Sequence, residues 1–175
     1  MFLGGQKCMK KIIRGNKGFS LIELLIVIAI LGVISVIAFS MFTGVINNSR
    51  KKSDEQQALL IEKAVLSYMI QSNDYKLQHL KYDGSNHSMN GKDSEELIYA
   101  LQNTIICDID GSEKEIYPIL NPKSSSTPSA SNYLPFWNTT KGGNYIGYKI
   151  EIDSETLSCN VTSVTSNAKV FVDEH

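Results

Sequence analysis

The stretch of sequence that decides the fold runs from Gly18 to Ser49 and reads GFSLIELLIVIAILGVISVIAFSMFTGVINNS. Its last 26 residues, from Leu24 onward, carry no charge and are mostly apolar. A helix rises about 1.5 Å per residue and the apolar core of a bilayer is about 30 Å thick, so roughly 20 such residues can span it. The segment therefore predicts a membrane-spanning helix. A removable secretory signal is a weaker alternative, because its apolar stretch normally has about 7 to 15 residues and Ala38-Phe39-Ser40 is a poor cleavage site.

The charges on either side of this segment predict its orientation. Three cations follow it at residues 50–52, where Asp54 and Glu55 offset them. More cations precede it, and we expect the flank richer in Lys and Arg to stay in the cytoplasm and the body of the protein to lie outside. The five charged residues before position 23 are all cations: Lys7, Lys10, Lys11, Arg14 and Lys17.

The overall charge conceals an acidic body. The chain has 175 residues, with 17 basic and 18 acidic side chains and a formal net charge of -1. Without the five N-terminal cations, 17 − 5 = 12 basic residues stand against 18 acidic ones, a balance of 12 − 18 = −6. Nucleic-acid binding depends on basic surface that replaces counterions, so this composition argues against it.

One carboxylate, that of Glu23, lies within the apolar stretch between Ile22 and Leu24. A charge at mid-bilayer costs up to a few kcal/mol, and less near the edge of the membrane. Position alone leaves two interpretations open: Glu23 marks the interfacial end of the span, or it meets a cation elsewhere.

Residues 17–23, KGFSLIE, resemble the cleavage and assembly motif of type IV prepilins and of the pseudopilins of related secretion and competence systems. The basic leader before them and the long apolar helix after them are part of the resemblance. It implies that a membrane-embedded aspartyl peptidase cuts between Gly18 and Phe19 and N-methylates Phe19. A glycine suits such a cut, because the missing side chain lets a protease approach the backbone closely. The resemblance also implies that Glu23 pairs with the Phe19 amine of a neighbouring subunit, cancelling two charges in an apolar filament core.

The resemblance covers about the first 70 residues, and one position departs from it. Many pilins carry a proline about six helical turns after the cut, where this chain has Ser40, so the kink or local melting of those pilins is not expected here. Proline is absent from Phe19 to Ser72, and this stretch predicts one continuous helix about 80 Å long. Its second half has an apolar stripe at helical spacing that should pack on a soluble body. The stripe consists of Ala58, Ile61, Val65, Tyr68 and Met69.

The rest of the chain predicts short elements and, with the long helix, an α+β fold. The long helix should be apolar in its first half, amphipathic in its second, and packed on a small antiparallel sheet in a pilin-like arrangement. The expected elements are a short helix near 95–103, an edge strand at 115–120 interrupted by Pro118, and an antiparallel meander of strands at 145–153, 156–165 and 169–173. The expected domains are a basic leader at 1–18 that is removed, a transmembrane or filament-core half-helix at 19–49, and a globular head at 50–175 that includes the amphipathic half of the helix.

The cysteines indicate a disulfide in the head. Cys8 lies in the expected leader and would leave with it, so Cys107 and Cys159 form an even pair in a body expected outside the cytoplasm. Two buried free thiols are the alternative. Structural zinc usually takes four ligands, and His79 and His87 have no zinc-site spacing, so no metal site or cofactor is expected.

Two short stretches allow a ligand interpretation. Residues 108–113, DIDGSE, place Gly111 too early for an EF-hand, so an acidic solvated turn is favoured over calcium binding at Asp108 and Asp110. Residues 134–137, LPFW, either close a core or form an exposed contact surface.

No stretch of the sequence resembles a nucleophile elbow, a phosphate loop or a zinc helix, so we do not expect an enzyme. The leading hypothesis is a structural subunit of a type IV pilus, inserted in the cytoplasmic membrane as a prepilin and then polymerised with its own kind on the cell surface. Its expected partners are the prepilin peptidase, the pilus assembly platform and the membrane. The alternatives are a minor pilin or pseudopilin of a secretion or DNA-uptake filament, a single-pass surface adhesin that does not polymerise, and a membrane-tethered enzyme.

Overall fold

A computed structural model describes residues 18–109, 111–122, 127–138 and 142–173. The expected leader before Gly18, with Cys8, lies outside the described residues, and so does Asp110. By its internal contacts the chain divides into two compact units, residues 1–43 and residues 44–175. The second unit begins before residue 50, where the sequence analysis places the start of the head.

The long helix is present as expected. Helix α1 spans Leu21–Ser72, and it is long and apolar enough near its start to cross a membrane. No residue between its ends is a proline, so its backbone ladder is not interrupted. In the second unit, all five residues of the expected apolar stripe are buried. The same face of α1 also buries Asp54, Gln57, Ala64 and Ser72.

The first sheet has four strands in the order β2-β1-β3-β4, and every pair is antiparallel. Its long hairpin turns at Gly111, whose φ of 78° is easy only for glycine. The edge strand expected at 115–120 lies earlier, at Ser112–Ile116, and ends before Pro118; it does lie at the edge of the sheet. The strands are β1 at Leu80–Lys81, β2 at Asn86–His87, β3 at Ile105–Ile109 and β4 at Ser112–Ile116, with helix α2 at Ser94–Ala100 between β2 and β3.

The second sheet has three strands in the order β6-β5-β7. Strand β5 spans Gly147–Asp153, β6 spans Ser158–Val164, and β7 spans Val170–Asp173. Strands β5 and β6 form the expected antiparallel hairpin, but β7 pairs with β5 in parallel, with Ile150 opposite Val170. The expected meander is therefore wrong at its last strand: β7 crosses to the other side of β5 instead of continuing beside β6. A short 3₁₀ helix at Ala130–Tyr133 precedes this sheet.

Both sheets and α1 contribute to one hydrophobic core. Alternate residues of β5 point into it at Tyr148, Ile150 and Ile152, as expected for a strand with one buried face. Tyr68 of α1 reaches the first sheet, where its hydroxyl lies 3.2 Å from the Cys107 sulfur. The α+β fold class expected from the sequence is confirmed.

Candidate processing and assembly site

The expected cleavage junction lies just before α1. Gly18, Phe19 and Ser20 are exposed and not helical, and 79% of Phe19 is accessible to solvent. Apart from the chain neighbours of Gly18, no atom of the described residues lies within 4 Å of where a Cβ at Gly18 would be. The Gly18–Phe19 peptide bond is thus open to a protease without prior unwinding of helix. A side chain at position 18 would meet no described residue other than its chain neighbours, so packing in this part of the chain does not require glycine there.

Glu23 closes the first turn of α1. Its Oε2 atom accepts a hydrogen bond from the backbone N–H of Ser20 at 2.9 Å, and the Ser20 carbonyl accepts from the Leu24 N–H at 3.2 Å. The Ser20-x-x-Glu23 spacing and this bond are one half of a capping box, which satisfies an otherwise unpaired N–H at the helix start. The carboxylate also lies where the positive end of the helix dipole favours negative charge. The Glu23 carboxylate is therefore hydrogen-bonded within the first turn of its own helix.

The first half of α1 has a surface suited to apolar surroundings. Its large side chains are exposed on every face, from Leu21 to Val45. The hydroxyls within it turn inward to the backbone: Ser35 donates to the Leu31 carbonyl at 2.7 Å, and Thr43 donates to the Ser40 carbonyl at 2.9 Å. Polar groups paired within the helix do not oppose burial in lipid or against other helices.

Ser40 occupies the position where many pilins have proline, and α1 continues through it. Its hydroxyl donates to the Val36 carbonyl at 3.2 Å. No Cβ clash would arise at Gly32 or Gly44 among the described residues, so neither glycine is required by local packing. The helix is continuous at Ser40, as expected from the sequence.

A buried carboxylate that the sequence analysis did not single out, Asp54, joins α1 to a distant loop. Its side chain is 0% exposed and accepts hydrogen bonds from the backbone N–H groups of Phe136 and, at 2.9 Å, of Trp137. The ammonium of Lys51, one turn earlier, lies 5.3 Å from the centre of the Trp137 ring, within reach of a cation–π contact. The clue in the sequence was its spacing: Asp54 lies seven residues before Ile61 on the same helix face. The loop at 134–137 is thus held to α1 through its backbone.

Burial beside Asp54 affects a tyrosine in the core. Tyr148 is buried, and among the described residues no hydrogen-bond partner is found for its hydroxyl. Burial, and then the negative charge of Asp54, raise the pKa of Tyr148. The phenol of Tyr148 therefore stays neutral near neutral pH.

The two cysteines of the head are free thiols in the structure. Cys107 lies on β3 of the first sheet and Cys159 on β6 of the second, and the disulfide expected between them stays a prediction. The Cys107 sulfur contacts the hydroxyl of Tyr68, which donates to Asp74 at 3.0 Å. Burial raises the pKa of Cys107, and burial together with the charge of Glu62 raises that of Cys159 to about 12. Neither sulfur is a reactive thiolate near neutral pH.

The expected acidic turn is the tip of the β3–β4 hairpin, where Asp108 lies opposite Glu113. Since Asp110 is outside the described residues, the calcium interpretation is not tested there. In the part of the chain that the structure describes, no group of three or more His, Cys, Asp or Glu side chains is placed to hold a metal ion.

Around His87 the structure gathers a small polar and aromatic cluster. The His87 ring stacks on Tyr82, with ring centres 4.7 Å apart, and its Nε2 lies 2.9 Å from Asp83 Oδ1. Its Nδ1 lies 3.8 Å from Glu96 of α2, which accepts a hydrogen bond from the Tyr82 hydroxyl. The bond to His87 lowers the pKa of Asp83, and burial with the charge of Glu96 raises that of Tyr82 to about 12. This cluster ties the β1–β2 hairpin to α2.

Comparison with known proteins concerns the N-terminal site. Residues 13–39 match the family model for the prokaryotic N-terminal methylation motif, which is the prepilin-type cleavage and methylation motif. No curated protein and no solved structure matched the chain. The match includes Gly18, Phe19 and Glu23 and supports a prepilin-like protein, of the kind that includes type IV pilins and pseudopilins. The motif also implies, in general, processing by a prepilin peptidase.

Proposed function

We propose that this chain is a structural subunit of a type IV pilus, made as a membrane prepilin, cut between Gly18 and Phe19 and N-methylated on Phe19. The mature subunit polymerises through α1 and carries its α+β head on the cell surface. The observation that carries the proposal is the methylation motif at residues 13–39, placed at the exposed start of a helix that is apolar on every face of its first half. Its role is structural, with no catalytic step assigned to any residue.

The apolar half of α1 serves in two surroundings. Before assembly its exposed aliphatic side chains are buried in lipid, and after assembly they are buried against the same half of neighbouring helices. Hydrophobic burial has similar strength in both places, so the direction of assembly must come from other interactions. Glu23 supplies one, because its carboxylate is costly in lipid and is neutralised when it meets a cationic amine.

Cleavage creates a cationic amine at Phe19, four residues before Glu23. The new N-terminus at Phe19 is one residue before Ser20, whose N–H is already bound to Glu23 Oε2. A carboxylate has two oxygens and can accept several hydrogen bonds, so Glu23 can retain Ser20 and accept from the Phe19 amine of a neighbouring subunit. Pairing between neighbours then favours one axial offset between helices, which is what an ordered filament requires.

The head needs a firm attachment to the helix if it is to take load. The buried Asp54 and the Tyr68–Asp74 bond fix two parts of the head to α1, at Trp137 and at the segment after the helix. The Asp74 carboxylate also accepts from the N–H groups of Gln78 and His79, at 3.0 and 2.7 Å. These links are consistent with a head that moves with its helix.

Deletion of the gene, followed by electron microscopy of the cells, tests the proposal. A pilus subunit of the major type predicts loss of the fibres, restored by the wild-type gene and not by a Glu23→Ala gene. Normal fibres with a defect in secretion or DNA uptake would indicate a pseudopilin or minor subunit instead. Normal fibres with neither defect, and an uncut protein in the membrane, would indicate a single-pass surface protein.

A further inference from the structure

The two sheets of the head end in four edge strands, and three of these are protected. Natural proteins guard sheet edges by making them short, by charging them or by covering them. Strand β2 has only two residues, and β4 carries three charges in five positions, at Glu113, Lys114 and Glu115. The outer edge of β7 is covered by residues 90–94: the Val170 N–H donates to the Lys92 carbonyl at 2.9 Å, and the Gly91 N–H donates to the Val170 carbonyl at 2.8 Å.

The fourth edge, β6, has none of these protections among the described residues. Its seven residues read SCNVTSV, with no charge and no proline. Within the described residues β6 pairs with β5 alone, so one of its two hydrogen-bonding edges is without a strand. Ser158, Asn160 and Thr162 are exposed, whereas Cys159 and Val161 point into the core. An uncharged open edge of this length is a template for pairing with another extended segment.

A groove of about 320 Å³ runs between this strand and α1. Residues 160–163 form one wall, and the other wall is made by Glu55, Ala58, Leu59 and Glu62 of α1. Leu59 is 52% exposed, so the wall offers apolar surface between two carboxylates. In the part of the chain that the structure describes, neither Glu55 nor Glu62 is in an ion pair. The groove is therefore apolar in the middle, acidic at the α1 side and open to backbone hydrogen bonding at the β6 side.

We propose that this groove binds an extended, basic segment of a partner protein, which adds to the second sheet as a strand beside β6. The partner backbone pairs with β6, its Lys or Arg side chains face Glu55 and Glu62, and an apolar side chain between them packs on Leu59. The partner segment is basic because Glu55 and Glu62 make the α1 wall of the groove acidic. Pairing of β6 with β6 of a second copy would bring two sets of these carboxylates together, and like charges at close range oppose such an interface. The inference does not depend on whether the chain polymerises.

The test uses the full chain in detergent and a blocked synthetic peptide, as long as β6, with the sequence KTVTKTV. Successive side chains of a strand point to opposite faces, so both lysines and the valine between them lie on the one face that meets α1. We expect the peptide to bind and to slow hydrogen exchange of amides in residues 158–164. Two control peptides separate the contributions: one with glutamate in place of lysine, and one with alternate backbone nitrogens methylated. The glutamate peptide should bind about tenfold more weakly at low salt, because two surface charge pairs become repulsive. The methylated peptide should not bind, because it cannot donate to the edge.

Two matched variants of the protein test whether the peptide binds at β6. Thr162→Lys puts a gatekeeper charge on the β6 edge and should abolish binding, whereas Ser112→Lys makes the same charge change on the edge of the other sheet and should leave it intact. Glu55→Gln with Glu62→Gln should remove the preference for the lysine peptide and leave the fold unchanged. Any of three results would overturn the proposal: no binding of the lysine peptide, equal binding by the methylated peptide, or binding that persists in Thr162→Lys. A chain that dimerises through β6, dissociated by Thr162→Lys, would overturn the choice of a basic partner.

Discussion

The Oε2 atom of Glu23 accepts a hydrogen bond from the backbone N–H of Ser20, 2.9 Å away, at the first turn of α1. The carboxylate that we assign to assembly is thus also the cap of its own helix. An ionised side chain held in this way loses less conformational entropy when a second donor arrives. The arrangement separates two properties of Glu23, its hydrogen-bonding capacity and its charge, which can be tested one at a time.

Replacement of Glu23 by Gln should abolish fibres while the chain stays folded in the membrane. The Gln side-chain oxygen can still accept from Ser20, but it has no charge to pair with an amine. Immunoblots of sheared fibres and of membranes measure the two pools. Glu23→Asp keeps the charge on a shorter side chain and should retain part of the fibre yield. Wild-type fibre yield in Glu23→Gln would show that the charge is not needed for assembly.

Substitution at Gly18 should act on the protease and not on the fold of the head. The space around Gly18 is open, so Ala or Leu there is tolerated by the described part of the chain. We expect Gly18→Leu to accumulate as uncut precursor and Gly18→Ala to be cut more slowly than wild type. The masses of the membrane-bound chains give the cut fraction. Ser20→Ala, two residues later, leaves the backbone bond to Glu23 in place and serves as the control.

Loss of the Asp54 carboxylate should destabilise the head. Asp54→Ala removes the carboxylate that accepts from the backbone N–H groups of Phe136 and Trp137, and a lost pair of charge-assisted bonds costs about 2–4 kcal/mol of unfolding free energy. Chemical unfolding followed by Trp137 fluorescence measures the change. Glu55→Gln, the neighbouring position on the exposed side of α1, should change the free energy of unfolding by less than about 0.5 kcal/mol. Equal effects of the two variants would contradict the role given to Asp54.

The Asp83–His87 contact predicts a particular dependence on pH. The pKa of Asp83 is lower in the folded state, first because of its bond to His87 and then because of the Ser85 N–H. The Asp83 carboxylate therefore stabilises the folded state above the ordinary pKa of an aspartate. This stabilisation is lost as the pH falls through the lowered pKa of Asp83 in the folded state. Unfolding curves of wild type and Asp83→Asn should differ above that range and converge in acid. Curves that stay apart in strong acid would show that the Asp83 carboxylate is not the source of the difference.

Free thiols at Cys107 and Cys159 predict slow labelling in the folded protein. Burial raises the pKa of both, so little thiolate is present for alkylation at pH 8. After unfolding without reductant, both sulfurs should react, and the mass of the processed chain, which lacks Cys8, should increase by two labels. A chain that takes up neither label until reductant is added has the disulfide that the sequence analysis expected.

The sequence was most informative where one short-range pattern decides the structure. The continuous α1 and the buried stripe from Ala58 to Met69 follow from periodicity and from the absence of proline. Pro118 led to an edge strand at 115–120, whereas the strand found there, β4, is Ser112–Ile116. The parallel pairing of β7 could not be read in this way, because it places Val170 beside Ile150 of β5, with the distant Gly91 and Lys92 on its other edge. A strand's own sequence does not say which neighbour it joins.

The residues of the candidate site likewise differ in whether local sequence identifies them. Gly18, Phe19 and Glu23 lie within one motif, so local sequence identifies them. The roles of Asp54 and of the groove between Glu62 and β6 arise from contacts across about 80 to 100 residues of chain, and composition gives no sign of them. The spacing between Asp54 and Ile61 was a usable signal, because a carboxylate on an apolar helix face requires donors from elsewhere in the fold.

The intact mass and N-terminal sequence of the protein recovered from its own cells test the central claim most directly. The account predicts a chain that begins at N-methylated Phe19, with a mass lower than that of the full chain by residues 1–18 and raised by the one added methyl group. A chain that begins at Met1, with the leader still attached in cells that make fibres, would contradict it.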